Sequence, residues 1–591
     1  MNSRDPNAHR ATPHSKRGAT PITLGTTPPD KRDTTPPVAL GATPPSKRGA
    51  TPPVQGATSR AARSTPPAGN PRVTPAPPTP TIRDATSPTG RNVTSYHAPL
   101  AWIGDAVAED VLIEVIDGRF ASVTPGVARP PANAQRLPGL AMPGLANAHS
   151  HAFHRALRGQ AEQGHGTFWT WRQQMYEVAA QLNPDSYFAL ARAVYAEMAL
   201  AGVTCVGEFH YLHHDADGQR YGEPNAMGLA LLAAAQEVGI RITLLETLYL
   251  TSSVEGAPLE GPQRRFGDGD VDGWSARVAD LRADVHAKIG AALHSVRAVP
   301  AEQIAAFASR VEGTPTHVHL SEQRAENEAC RRVHGCSPTA LLADRGLLGP
   351  WVTAVHATHL DDTDRGELGD SNTAVCFCPT TERDLADGLG PARPLFDAGS
   401  PLCLGSDSHA VIDLFEEART LELHERLRTE RRGNFAADEL VDAATVRGHA
   451  ALGWNDAGRI AVGSRADLVC VALDTPRTAG CSPDAIVFAA GAPDIRLVIA
   501  DGQVIVRDGE HVTIGDVGDA LRRAIWPVST SRAPDAGARA TRVIPALDNE
   551  VTTEEIEPGS GERRSGERGP RKRRPKSGGS APGEPTRAVK P

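Results

Sequence analysis

The chain has 591 residues and a net charge of −8, but neither its charge nor its prolines are evenly spread. Residues 1–93 hold 19 of the 49 prolines and a net charge of +9, and residues 529–591 carry +4, which leaves −21 on the body between them. So acidic a body argues against nucleic acid as its main partner, since a phosphate backbone would repel it, and no apolar run of about 18 residues offers a membrane-spanning helix. No apolar signal-like core stands at the N-terminus, and the eight cysteines include no CxxC pair. The expectation is a cytoplasmic protein with reduced, scattered core thiols.

The first arm, 1–93, repeats units such as GATPPSKRGATPP. Closely spaced Pro-Pro pairs forbid helices and central strands, so a disordered, partly polyproline-like chain is expected. The body then opens with DVLIEVIDGRFASV (110–123), an alternating pattern broken by an Asp-Gly turn. From Ala141 onward, eight short apolar runs follow: 145–151, 204–210, 241–249, 289–296, 316–322, 353–360, 373–380 and 401–408. Helical patterns separate them. One begins at Pro184 behind an Asn183 cap and ends at Gly202; another, LALLAAAQEVG, closes at Gly239. Strand–helix alternation repeated eight times predicts an α/β fold, a (β/α)8 barrel of the TIM type over 141–454. Strand patterns in ADLVCVAL and IRLVIADGQVIVRDGEHV predict that 94–140 and 455–520 combine into one small β-sandwich domain. The basic tail 529–591, with its RKRRPK run, is expected to be disordered and solvated.

Polar residues fall where the apolar runs end, which in such a barrel is the catalytic face. His149 and His151, two apart on the first strand, point the same way and suit zinc. A lone His-x-His is weak evidence. The weight comes from His319 at the fifth strand, His356 on the sixth and Asp407 at the end of the eighth, since core packing does not explain repeated polar strand ends.

PGLANAHSHAFHRALRG, HVHLSEQ, VHATHL and LGSDSH, followed by ADLVCV, resemble the amidohydrolase superfamily. More narrowly, GTFWTWRQQMY, GEFHYLHHDADG, HSVRAVP, HLSEQ and CPTTERDLADG resemble its formimidoylglutamate deiminase family, over about residues 97–515. One departure is His154, where that family is expected to carry Gln. The resemblance implies hydrolysis of N-formimino-L-glutamate to N-formyl-L-glutamate and ammonia, a step of histidine degradation. It implies one Zn²⁺ per chain, held by His149, His151, His319 and Asp407. His294 stands where dinuclear members place a bridging lysine, which favours one metal over two. Catalytic roles are implied for Asp407 as proton acceptor, His356 as orienter of the water, and Glu322 as proton shuttle to the departing ammonia. Arg172, Tyr211, His294 and Arg297 are implied as substrate contacts, the arginines matching a dicarboxylate's forks. A homodimer is also implied.

Phe168, Trp169 and Trp171 read as anchors of a loop over the site, His210, His213 and His214 as structural, and Cys376 and Cys378 as buried thiols. Competing readings are an aminohydrolase of a purine, pterin or triazine ring, which would need an aromatic clamp, and a catalytically inactive scaffold subunit. Nucleic-acid binding through the arms rests on the RKRRPK run alone.

Overall fold

Val111, Ile113 and Val115 are buried while their neighbours along the strand are half-exposed, the period-two pattern of a sheet with one covered face. The computed structural model describes residues 93–160 and 168–529, so the two arms lie outside the described residues but for Val93 and Ser529. The first five strands are β1 (Thr94–Ile103), β2 (Ala106–Ile116), β3 (Arg119–Thr124), β4 (Gln135–Arg136) and β5 (Leu140–Pro143).

All eight apolar runs expected from the sequence are strands. They are β6 (Leu145–Ser150), β7 (Val203–His210), β8 (Arg241–Leu248), β9 (Ala287–Leu293), β10 (Thr316–Leu320), β11 (Val352–His356), β12 (Ala374–Phe377) and β13 (Leu402–Leu404). Each pairs in parallel with the next. A parallel bridge between Ser150 and Asp407 brings the first strand to the end of the last, so the sheet curls into a nearly closed barrel. Every position of β6, β7 and β8 is buried, as strands covered on both faces require.

After the barrel come β14 (Leu468–Val471), β15 (Ile495–Ala500), β16 (Gln503–Arg507) and β17 (Glu510–His511). They join the opening strands in one sheet ordered β17-β16-β15-β14-β5-β1-β2-β3, with β4 beside β1. Strands from both ends of the body thus share a core that includes Tyr96, Ile113, Phe120, Leu468 and Ile499. A buried ion pair fastens this sheet to the barrel. Arg241, first residue of β8, donates Nη1 to Asp467 Oδ1 at 3.0 Å, and the Asp501 amide donates to the same oxygen at 2.9 Å.

Local signals hold where they were strongest. Asn183 and Ser186 form a reciprocal capping box ahead of helix Pro184–Leu200, and Gly239 ends helix Ala226–Val238 with φ +85°. The FWTWRQQMY segment corrects one expectation, since it opens helix Phe168–Gln181 instead of forming a loop. Its Gln, Met, Glu and Ala residues favour helix, and Met175, Val178 and Ala179 bury one face in the barrel core. No helix of the described residues is long and apolar enough to cross a membrane.

Candidate metal centre

The C-terminal ends of the barrel strands gather the polar residues. His149 lies within β6 and His151 just past it, His319 lies in β10, His356 ends β11, and Asp407 follows β13. Buried hydrogen bonds set this backbone. Glu208 accepts from Ser150 Oγ and from the Ala152 amide, both at 2.7 Å, and so grips the chain on either side of His151. Asn147 and Ser406 exchange two bonds, at 2.7 and 2.9 Å, tying β6 to the Asp407 segment. Gly405 permits that approach, because a Cβ there would lie 2.7 Å from the His149 Cβ. Asp407 and His356 have φ of +42° and +71°. Left-handed backbone at such residues costs on the order of 1–3 kcal/mol each, and is kept where the surroundings force it.

Four donor atoms converge. His149 Nε2 lies 3.1 Å from His319 Nε2, and His151 Nε2 lies 3.4 Å from the same atom. Asp407 Oδ1 is 3.4 Å from both His149 Nε2 and His151 Nε2. Ligands at about 2.0–2.1 Å from a tetrahedral ion stand roughly 3.3–3.4 Å apart, so the spacing fits a metal such as zinc. The protonation pattern fits as well. His151 Nδ1 faces the Phe209 carbonyl at 2.9 Å and His319 Nδ1 faces the His294 carbonyl at 3.0 Å, so both donate there and turn Nε2 lone pairs inward. Burial lowers the pKa of all three imidazoles, that of His151 to about 3, and keeps them neutral as ligation requires. Three neutral rings and one carboxylate around a divalent ion leave a net charge of about +1.

His356 stands apart in charge. Its Nε2 is 3.8 Å from Asp407 Oδ2 and its Nδ1 is 3.5 Å from Glu382 Oε1. Burial opposes its charged form, yet Glu382, Glu322 and Asp407 together push its pKa up to about 10. Glu322 and Arg297, which the resemblance gave separate duties, are paired with each other: Arg297 Nη2 donates to Glu322 Oε2 at 2.8 Å. Glu326 lies 3.7 Å from Arg297 Nε.

All the proposed site residues but the buried His149 line one cavity of about 60 Å³. Tyr211 and His154 form part of its wall, with His154 Nε2 and the Tyr211 hydroxyl 2.9 Å apart. The departure at 154 therefore sits in the cavity, against the His151 ring at 4.5 Å between centroids. Arg172 reaches in from helix Phe168–Gln181 and donates Nη2 to the Tyr249 hydroxyl at 3.4 Å. His294 follows β9 with its ring 4.3 Å from that of Tyr249. Trp171, expected to anchor a loop, is cavity wall, its ring 5.1 Å from His154; the side chains of Phe168 and Trp169 lie outside the described residues.

Residues 140–505 match the model of the amidohydrolase family. The chain belongs to that family. This amidohydrolase is 37% identical over 441 residues to the formimidoylglutamate deiminase of Pseudomonas aeruginosa, covering 71% of this chain and 96% of that protein. Among solved structures, an amidohydrolase from Brucella melitensis superposes with a TM-score of 0.68 at 30% identity, covering 74% of this chain and 99% of that one. An adenosine deaminase from Xanthomonas campestris with bound zinc superposes with a TM-score of 0.64 at 25% identity, covering 73% and 97%. Family and donor set together make this amidohydrolase a metal-dependent hydrolase.

Sequence reasoning passed over two residues of the site, Glu208 and Glu382. Both are buried glutamates at or beside strand ends, Glu208 inside the apolar run TCVGEFH and Glu382 in the first turn of helix Pro379–Asp384 behind β12. An ionisable side chain interrupting a core strand was the available signal. Burial raises the Glu208 carboxyl to about 8 against its three hydrogen bonds. Cys376 and Cys378 are buried free thiols.

Proposed function

We propose that this amidohydrolase deaminates N-formimino-L-glutamate to N-formyl-L-glutamate and ammonia, with one Zn²⁺ held by His149, His151, His319 and Asp407. The observation that carries the substrate is the presence of Arg172 and Arg297 in the same cavity as the converged donors. In a body of −21, two guanidinium groups at one mouth are what a dicarboxylate needs to enter and be held. The similarity to the Pseudomonas aeruginosa enzyme points the same way.

A divalent ion bound by this set would act as a Lewis acid and bring a water's pKa toward neutrality. The chain's own residues do the rest. Asp407 is placed to accept a proton from the attacking water as oxygen adds to the formimino carbon. His356, charged and oriented by Glu382, faces Asp407 and offsets negative charge as it develops. Glu322 delivers a proton to the leaving nitrogen, the C–N bond breaks, and ammonia departs as the C=O forms. Tyr211 and His294 position the substrate from the cavity wall, and His154 shares its hydroxyl partner with it.

The Arg297–Glu322 pair couples binding to chemistry. A substrate carboxylate that takes over the Arg297 fork leaves Glu322 free to trade protons. The cavity of about 60 Å³ is well below the roughly 300–1,000 Å³ of ordinary ligand sites, so entry requires its wall to open.

A ring-deaminase reading also has support, because Trp171, Tyr176, Tyr211, Tyr249 and Phe266 line the same cavity. Ammonia release from formiminoglutamate by zinc-loaded protein, set beside adenosine and a neutral formamidine, decides. Turnover of adenosine alone would reverse the assignment.

A further inference from the structure

A second cavity opens at the other end of the barrel. It lies where β9 to β13 begin, while the metal centre lies where strands end. Its volume is about 520 Å³, within the range of metabolite sites and far larger than the catalytic cavity in this structure. Lys288, Arg447 and Arg459 line it, with Asp442 as the one carboxylate, while Trp351 and Val446 supply apolar wall. Three cations against one carboxylate leave a local charge of +2 in a body of −21.

Two of the arginines buried in this body are paired with carboxylates, Arg241 with Asp467 and Arg277 with Glu246 and Asp268. The three cations of this cavity are less buried, Lys288 and Arg447 in part and Arg459 exposed. Among the described residues none of them forms an ion pair; Lys288 rests over the Trp454 ring at 4.9 Å and Arg447 near the Phe396 ring at 5.9 Å. Ring contacts position a cation without neutralising it. Repelling cations held around one concavity are stabilised by an anion between them, and a concave wall of low dielectric concentrates that field.

We infer that this cavity is a second ligand site, taking a small dianion with an apolar portion, a phosphomonoester or a dicarboxylate. The cations bind the two charges and the Trp351 indole takes the apolar part. The assignment does not depend on the reaction proposed for the metal centre.

Titration calorimetry of the full chain with phenyl phosphate, isophthalate and neutral phenol tests it. At least one dianion should bind once per chain, and whichever binds identifies the oxyanion; phenol should not bind. The triple variant Lys288→Met, Arg447→Met, Arg459→Met should weaken binding roughly 10²-fold, the worth of about two charge-assisted contacts. Asp442→Asn removes the opposing charge and should tighten binding a few-fold. Binding should also survive Arg297→Met, which alters the catalytic cavity alone. No heat from either dianion at about 10 mM overturns the inference. So does equal binding by the triple variant, weaker binding by Asp442→Asn, or binding abolished by Arg297→Met.

Discussion

Two clusters of histidine and carboxylate are buried in this barrel, and they differ in charge. At the inner one, His149, His151, His319 and Asp407 bring four donor atoms to spacings of 3.1–3.4 Å, and among the described residues none of the four is paired with a guanidinium. At the outer one, His210, His213 and Glu246 also come together. There Arg277 Nη1 donates to Glu246 Oε2 at 2.6 Å and its Nε donates to Asp268 Oδ2 at 3.0 Å. His213 Nδ1 stays 3.7 Å from Glu246, and His214 Nε2 sits 3.3 Å from Asp268. Arg277 on Glu246 and Arg220, 3.6 Å from Asp268, already balance the two carboxylates there, so a divalent ion would add uncompensated charge to a dry site. Residue types alone do not make a metal site. A carboxylate free of any guanidinium is also needed.

Removing the metal should have the largest effect. Chelation is expected to abolish activity and Zn²⁺ to restore it, with metal analysis giving close to one equivalent per chain. His319→Ala should lose that equivalent, whereas Glu246→Gln should keep it. Two equivalents in active protein, or loss of metal on changing Glu246, would erase the contrast between the clusters.

Next in size is Glu322→Gln, which keeps shape and removes the titrating proton. The loss in kcat should be on the order of 10²–10⁴-fold, with metal content unchanged. Arg297→Met should act more on KM, with some loss in kcat because Glu322 loses its partner. The same change should matter far less for a formimino compound without carboxylates. Equal effects on both substrates would make Arg297 structural and favour the ring-deaminase reading.

The smallest effect on turnover, though not on folding, belongs to Arg277→Met. Stranding Glu246 and Asp268 should cost roughly 3–5 kcal/mol of stability, read by denaturant unfolding, while metal content stays at one. The acid limb sharpens this test. Burial would raise the Asp268 carboxyl, but His214 and Arg277 outweigh it and hold it below its ordinary 3.8. A depressed carboxyl contributes stability that is whole above the unfolded value and drains as pH falls through the folded one. Below about pH 4 the parent should therefore lose stability more steeply than the variant. Parallel acid limbs would show that Arg277 does not set this carboxyl.

Much of this molecule is written in local patterns. The eight apolar runs became β6 to β13 because a short run of apolar residues between helical segments can only bury itself as a covered strand. Asn183 and Gly239 delimited their helices because capping is settled by a residue and its near neighbours. His149, His151, His319, His356 and Asp407 stood out because strand ends carry a barrel's chemistry.

Other features depend on side chains far apart in the chain, whose meeting no local pattern records. The FWTWRQQMY segment, expected as a loop after the first strand, is helical because it packs on a core that exists only after folding. Arg297 was readable as a carboxylate fork, but not as already engaged by Glu322, since that pairing follows from β9 lying beside β10. His154 reads in sequence only as a departure from the family, and it is the 3-10 helix Ala152–Leu157 that sets it against Tyr211. The sharpest case is the pair of histidine clusters, since sequence shows histidines and acids in both. What separates them is Arg277, brought to Glu246 from 31 residues away by packing of helix Val271–Val278 on the barrel. A site's charge balance is a sum over neighbours in space, and only the fold chooses the neighbours.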